Sequence, residues 1–347
     1  MKVQPLMGAP SSPYTRKMLA VMRFRNIPYR FERQSRLFSG GSNPHYPQRA
    51  EPKVRLLPTF YFRDESGEEV AVTDSSPIIR RLEKDYEGRS IIPSDPVLAF
   101  LDMLLEDFGD EWLTKAMFHY RWSYEADIRK AGDILPLHGL VSVSEEQARA
   151  MGDLIRERQI ARLSYVGSNA TTRPTIEESF KRTVALLDRH FMETPFLMGE
   201  RPGSCDFAVY GQLVCLALFD PTPQAHILAH HPRIHAWAES LEDLSGYLVT
   251  DDDWLNSGDL PQTLIDLLGE VGRIYVPYLI GNAKAVAAGA EKVQMTLDGR
   301  PWEQNPFPYQ VKCLRWLKDE YTNLEEADRT RIANILAGTG CEALLDE

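Results

Sequence analysis

The order of patterns between Val3 and Tyr86 constrains this chain most. Val3 to Met7 is a short apolar run suited to a buried strand. A helical pattern follows from Tyr14 to Arg25, with Met18, Val21, Met22 and Arg25 recurring on one side. Pro28 to Glu32 alternates as a strand does, with Tyr29 and Phe31 on one face and Arg30 and Glu32 on the other. A loop rich in Pro, Gly, Ser and Asn runs from Ser39 to Pro52. Leu56 to Phe62 is apolar and aromatic around Pro58, Asp64 to Gly67 is a turn, and Glu69 to Val72 is a short strand. Ile78, Ile79, Leu82 and Tyr86 then mark a helix entered through Asp74-Ser75-Ser76-Pro77. One crossover followed by a hairpin fits a small mixed sheet with helices on its faces.

The entry to the first helix is the chemically loaded joint. Pro13 suits the first helical position, where its missing N–H costs nothing. Ser12 is then the natural N-cap. Its hydroxyl stands where backbone N–H groups point outward and the helix dipole is positive, a place that favours an anion, including a thiolate. On spacing alone Ser12 reads as a cap without chemistry. Ser11, Tyr14 and Thr15 are neighbouring hydroxyls, and Arg16 and Lys17 read as solvated helix charges.

From Pro96 onward long helical runs take over. Leu101, Leu104, Leu105, Phe108, Trp112 and Ala116 form an apolar stripe. Asp107, Asp110 and Glu111 read as its solvated face, with Glu111 and Lys115 as an i,i+4 pair. Ser144-x-x-Gln147 and Thr175-x-x-Glu178 read as capping boxes. Thr263 to Ile280 reads as a helix interrupted or kinked at Pro277. Val293, Met295 and Leu297 alternate into Asp298-Gly299, a hairpin signal. Tyr309, Cys313, Trp316, Leu317 and Leu324 suggest one further helix, and Ile332, Ile335 and Leu336 a last one. Gly338-Thr339-Gly340 lacks the Lys and strand of a phosphate loop and reads as a helix stop. Trp302, Phe307, Trp316 and Leu317 are too many large apolar groups for a free tail, so residues 251–347 are expected to fold onto the core.

Composition sets bounds. The 347 residues suit two domains, or two and an appendage, and 43% hydrophobic residues suffice for a sizeable core. A net charge of -11 argues against nucleic acid and anionic membranes as partners. Ile274 to Ala290 carries Pro277, Asn282 and Lys284 and is not a membrane span. Met1 to Gly8 has no apolar run long enough for a signal peptide. Cys205, Cys215, Cys313 and Cys341 form no short-spaced pair and read as free thiols in a reducing, cytoplasmic setting. His226, His230, His231 and His235 are joined by no carboxylate or thiol at ligand spacing, so no metal is expected.

Three joints together resemble a known family. Ser12-Pro13-Tyr14 with Lys17, Leu57-Pro58-Thr59, and Asp74-Ser75-x-x-Ile78 resemble, in order, three motifs of the cytosolic glutathione transferases. Pro195-Phe196-Leu197-Met198-Gly199 with Asp206, and His231-Pro232-Arg233-Ile234-x-x-Trp237, resemble landmarks of that family's helical domain. Gly203 departs from the pattern, where the family has Ser or Thr, so one half of a reciprocal cap is lost.

The resemblance implies a thioredoxin-like α/β domain over residues 1–88 and an all-helical substrate domain over 96–249. A mostly helical extension at 250–347 has no family counterpart. It implies glutathione as co-substrate, a small hydrophobic electrophile, a homodimer and a cytoplasmic enzyme. Ser12 would donate to the glutathione sulfur. Leu57, beside a cis Pro58, would pair with the cysteinyl part through its backbone. Asp74 and Ser75 would hold the γ-glutamyl end and Lys53 the glycyl carboxylate, although its spacing to Pro58 departs from the family. Lys115, Phe118, His119 and Trp122 fall on the helix that lines the family's second-substrate pocket, while Trp112, Met117 and Tyr120 are expected to pack. Two alternatives stand beside glutathione transfer. One is thiol–disulfide exchange, against which Ser12 and Thr15 stand where a cysteine pair would be. The other is a binding or assembly module without turnover.

Overall fold

The computed structural model describes residues 3–33, 45–139 and 141–345. Its first part alternates as the sequence does: β1 (Gln4–Gly8), α1 (Pro13–Phe24), β2 (Tyr29–Arg33), β3 (Thr59–Arg63), β4 (Glu69–Val72) and α2 (Ser75–Asp85). The sheet order is β2-β1-β3-β4. β2 lies parallel to β1, which requires the α1 crossover, and β3 and β4 are antiparallel. Leu6 and Met7 on central β1 are both buried, as an apolar run covered on both faces should be. This is a thioredoxin-like α/β domain. The first stretch of the loop expected at 39–52 lies outside the described residues.

A helical region follows: α3 (Pro96–Phe108), a π turn (Gly109–Leu113), α4 (Thr114–Ser123), α5 (Glu125–Gly139), α6 (Glu145–Ile160), α7 (Arg173–His190), α8 (Ser204–Leu218), α9 (Pro221–His230) and α10 (Pro232–Ser240). α8 is apolar almost all round and is buried from Ser204 to Ala217. It packs against both α1 and α3 and so ties the helical region to the first domain. Asp206 accepts from the N–H groups of Gly203 (2.9 Å) and Leu197 (2.8 Å), so glycine at 203 leaves this half of the cap intact. Ser144 and Gln147 cap α6 reciprocally. The box expected at Thr175 is not one. α7 has already begun at Arg173, and Thr175 is a fully buried residue inside its first turn.

The extension comprises α11 (Gln262–Glu270), a second π turn (Val271–Tyr275), α12 (Val276–Ala287), the hairpin β5 (Val293–Leu297) and β6 (Arg300–Gln304), α13 (Pro308–Asn323) and α14 (Glu326–Leu336). Asp298 and Gly299 make the hairpin turn with φ of 50° and 72°. α11 packs on α7, and both α13 and α14 pack on α3. A single apolar cluster runs from Leu6 through Phe108 to Leu268, Trp302 and Leu344. The helix expected over 263–280 is interrupted close to Pro277: the backbone stays helical from α11 into α12, with the π turn ending two residues before the proline. The irregularity lies just before it, in the π turn. A Cβ on Gly272 would stand 2.2 Å from the Thr339 carbonyl oxygen, so the helix can approach the 338–341 turn only at a glycine.

Docking of the extension overturns one expectation. Asp107, Asp110 and Glu111 are not a solvated face. Tyr275 Oη donates to Asp107 (2.6 Å), Gln310 Nε2 donates to Glu111 (2.9 Å), and Lys17 reaches Asp110 (2.6 Å). The polar side of α3 is covered by α1 and by the extension, and an amphipathic pattern cannot anticipate a cover that arrives about 200 residues later.

Candidate functional site

The register of the sheet brings the three joints to one end. β1 runs toward Gly8, and Met7 lies opposite Thr59, so the cis peptide Leu57–Pro58 lies beside the end of β1. Phe60 lies opposite Val72, so Asp74 and Ser75 leave the sheet at the same end. α1 starts there too, after the loop of residues 9–12.

Ser12 caps α1: its Oγ accepts from the N–H of Thr15 at 3.3 Å. That bond uses an oxygen lone pair and leaves the hydroxyl proton available to a ligand. Thr15 is fully buried, and its Oγ1 accepts from the N–H of Ala9 at 3.4 Å. Tyr14 Oη donates to the Asp110 carbonyl at 2.7 Å. Ser11 and Ser12 are both partly exposed hydroxyls before the helix, and Ser12 is the one that caps it. The loop before it is held by Arg121, which donates to the Ser11 carbonyl (3.1 Å) while paired with buried Asp220 (2.9 Å).

Lys17 is not a solvated charge. It is fully buried, with Nζ 2.6 Å from Asp110, 2.8 Å from Glu106 and 3.2 Å from Ser75 Oγ. Burial opposes its charge most strongly, but Asp110 and Glu106 outweigh burial and hold its pKa above the ordinary lysine value. Glu106 is likewise held down, against burial, by Lys17 and Arg80, while Asp110 is pushed up by burial and by Glu106. Ser76 Oγ donates to Glu106 at 2.9 Å. Asp74 sits at φ 87° and ψ 113°, a conformation that costs a non-glycine residue about 1–3 kcal/mol. Its Oδ2 accepts from Tyr309 Oη at 2.7 Å. The sequence carried a hint of Lys17, since it ends the Ser-Pro-Tyr-x-x-Lys motif; nothing local pointed to Glu106, Asp110 or Tyr309.

The other expected residues stand apart. Lys53 is exposed in the segment before Leu57, which is half-buried. Lys115, His119 and Trp122 are interior residues, not the lining of a surface pocket. Lys115 Nζ reaches Gln304 Oε1 (3.0 Å) and the Val166 carbonyl (3.1 Å) rather than pairing with Glu111 on a surface. His119 contacts Ser168 (2.8 Å) and Glu177 (3.1 Å). Trp122 packs in a small satellite core with Ala131, Leu135 and Ile155, and partly buried Phe118 leans on it. The covers differ: β6 of the extension and Val166 close over Lys115, Ser168 and α7 over His119, and α5 and α6 over Trp122. Trp112, Met117 and Tyr120 pack in the core.

One cleft, of about 410 Å³, lies at the opposite end of α1. Arg25 lines it, about 20 Å from Ser12 by helix rise. Arg89 and Arg201 line it too, but all three guanidinium groups hold backbone carbonyls, among them Tyr86, Tyr247 and Thr250. Glu83, Glu87 and Asp251 balance their charge. The cleft is a clasp on the chain between α2 and α3. Among the described residues, no group of three or more His, Cys, Asp or Glu could hold a metal ion. None of their helices is long and apolar enough to cross a membrane. All four cysteines are buried free thiols.

Residues 6–90 match the family model described as glutathione S-transferase, N-terminal domain. No curated protein matches the chain. Among solved structures, it is similar to a glutathione S-transferase of Methylobacterium radiotolerans in complex with glutathione sulfonate. That likeness has 16% identity and a TM-score of 0.42, and covers 75% of this chain and 98% of that one. It is also similar to the Tau class glutathione S-transferase of mango (17%, TM-score 0.39, 76% and 98% covered). A third is glutathione transferase E6 of Drosophila melanogaster (18%, TM-score 0.37, 76% and 94% covered). Likenesses this distant say nothing about the ligand.

Proposed function

We propose that this protein binds glutathione at the sheet end where the three joints meet, and ionises its thiol beside Ser12. The thiolate then attacks a small hydrophobic electrophile. The supporting observation is that Ser12, Leu57–Pro58 and Asp74–Ser75 emerge together around the start of α1. The hydroxyl of Ser12 donates to the sulfur, and the α1 N-terminus adds its positive potential. Each unit of thiol pKa depression is about 1.4 kcal/mol of preference for the anion. With an aryl halide, the thiolate forms the C–S bond and the halide leaves with its electron pair. The thiol proton has already gone to solvent.

Leu57 pairs through its backbone with the cysteinyl part, Asp74 and Ser75 take the γ-glutamyl end, and Lys53 takes the glycyl carboxylate. Lys17 and Arg80 offset Glu106 and Asp110, so the negative charge left for the γ-glutamyl ammonium is that of Asp74. We assign glutathione binding to residues 1–88, the helical domain to 96–249 and the extension to 250–347, in a cytoplasmic homodimer. A second reading, a binding or assembly module without turnover, is favoured by one observation: Lys115, His119 and Trp122, expected to line the second-substrate pocket, are buried.

Ser12→Ala separates these readings. If Ser12 ionises glutathione, affinity changes little and the thiolate ultraviolet absorbance of the complex moves to higher pH. Turnover with an aryl halide then falls by roughly 30- to 1000-fold. Unchanged absorbance and full turnover would refute the role of Ser12. Loss in Ser11→Ala or Thr15→Ala instead would transfer it to another hydroxyl. A wild type that binds glutathione without turnover supports the second reading.

A further inference from the structure

We infer that Tyr309 is a positioning residue of the γ-glutamyl subsite, so that the extension completes a site otherwise built by the first domain. The inference rests on the assignment of that subsite made above. Tyr309 Oη donates to Asp74 Oδ2 at 2.7 Å across 235 residues of chain. α13 begins at Pro308, so Tyr309 and Gln310 stand in its first turn. Each faces a carboxylate, Tyr309 that of Asp74 and Gln310 that of Glu111, at the positive end of the helix dipole. The Tyr309 ring is fixed edge-on against Trp316, with centroids 6.3 Å apart and planes at 87°. Asp74 is held at φ 87°, so its carboxylate is aimed by restraint and not by local preference.

The chemistry distinguishes aiming from blocking. A phenol is a neutral donor: it orients a carboxylate without cancelling its charge, whereas a lysine or arginine there would stand in for the incoming ammonium. Tyr309 occupies Oδ2 alone. The groups facing Asp74 are Tyr14 and Lys17 from α1, Glu106 from α3, Asp110 from the π turn, the Ser76 N–H, and Tyr309 and Cys313 from α13. Burial pushes the Asp74 carboxyl up, and the Tyr309 hydroxyl is first among the groups that oppose this. Without that hydroxyl, Asp74 moves toward the neutral acid, which holds an ammonium poorly.

The test uses the full chain and Tyr309→Phe, which removes one oxygen. Carbon-13 NMR of protein labelled at aspartate carboxyls, with Asp74 identified through Asp74→Asn, follows the titration directly. The Asp74 midpoint should rise by about one pH unit in Tyr309→Phe, and the melting temperature should hold nearly steady. Calorimetry at several pH values should show glutathione bound about tenfold more weakly, with the acid limb of binding shifted upward. Cysteinylglycine, which lacks the γ-glutamyl group, should bind both proteins alike. An unmoved Asp74 midpoint, or glutathione bound as well or better by the variant, overturns the inference. If wild type binds no glutathione at millimolar concentration, the assignment of the subsite fails and the inference with it. The Asp74 titration then still reports whether Tyr309 holds the carboxylate.

Discussion

Two lysines sit in the interior of this protein and meet opposite fates. Lys17, on α1, is fully buried between two carboxylates and is held charged. Lys115, on α4, is equally buried (1% exposed), among Trp112, Tyr278 and Trp302, with Nζ 4.3 Å from the Tyr278 ring centroid. Its polar contacts are the neutral oxygens of Gln304 and Val166. Burial, only partly opposed by Glu111, pushes its pKa down to about 7. Glu111 itself is pushed up to about 8, by burial and then by Asp107, so both members of the expected surface pair lean toward their neutral forms. Removal from water is common to both lysines. What differs is whether an anion accompanies the ammonium, since ring faces and amide oxygens return less of the lost hydration than a carboxylate does.

The largest expected effect is at Lys17. Lys17→Met removes the one cation that touches both Glu106 and Asp110, leaving only partly exposed Arg80 at 3.5 Å from Glu106, and should cost about 3–5 kcal/mol in urea unfolding at neutral pH. A loss below about 1 kcal/mol would mean that the two acids take up a proton at little cost, and the contrast between the lysines would collapse.

Lys115 should show itself as a slope rather than a loss. Its pKa is about 7 in the folded protein and about 10.4 unfolded, so between those values the unfolded chain binds the extra proton and stability rises with pH. The contribution is complete above the unfolded value and is lost as pH falls through 7. Lys115→Met should remove up to about 1.4 kcal/mol per pH unit of slope in that window. Glu111 acts with the opposite sign: its raised carboxyl favours the fold below about pH 4, and that support is lost as pH rises through 8. Glu111→Gln should therefore flatten the lower window and leave the upper one. Identical pH profiles for wild type and Lys115→Met would show that water or a moved carboxylate keeps Lys115 charged.

The smallest expected effect is at the support of Lys115. Tyr278 Oη donates to Gln310 and accepts from Gln304, whose Oε1 meets Lys115. Tyr278→Phe keeps the ring face and breaks both bonds, and should cost about 1–2 kcal/mol by thermal unfolding. A larger loss at pH 6 than at pH 9 would tie that cost to the charged form of Lys115.

The alternation from Val3 to Val72 was enough for the sheet, and Ser12-Pro13 was enough for the start of α1, because strand pleat, proline geometry and N-caps are local. Asp298-Gly299 was enough for the hairpin for the same reason. Leu57-Pro58 and Asp74-Ser75 could be named as motifs, but only the register of β1, β3 and β4 places them together at one sheet end. Lys17, Asp110, Glu111 and Lys115 were misjudged, since a charged residue at helical spacing reads as solvated unless something distant covers it. For Glu111 and Lys115 that cover is the extension, which also brings Tyr309 to Asp74, and for Lys17 and Asp110 it is the packing of α1 against α3 and the π turn. Local sequence determines which way a backbone runs and where a helix begins. Whether a charge meets water, an aromatic ring or a counter-ion depends on which surfaces dock, and docking joins residues that are far apart in the chain.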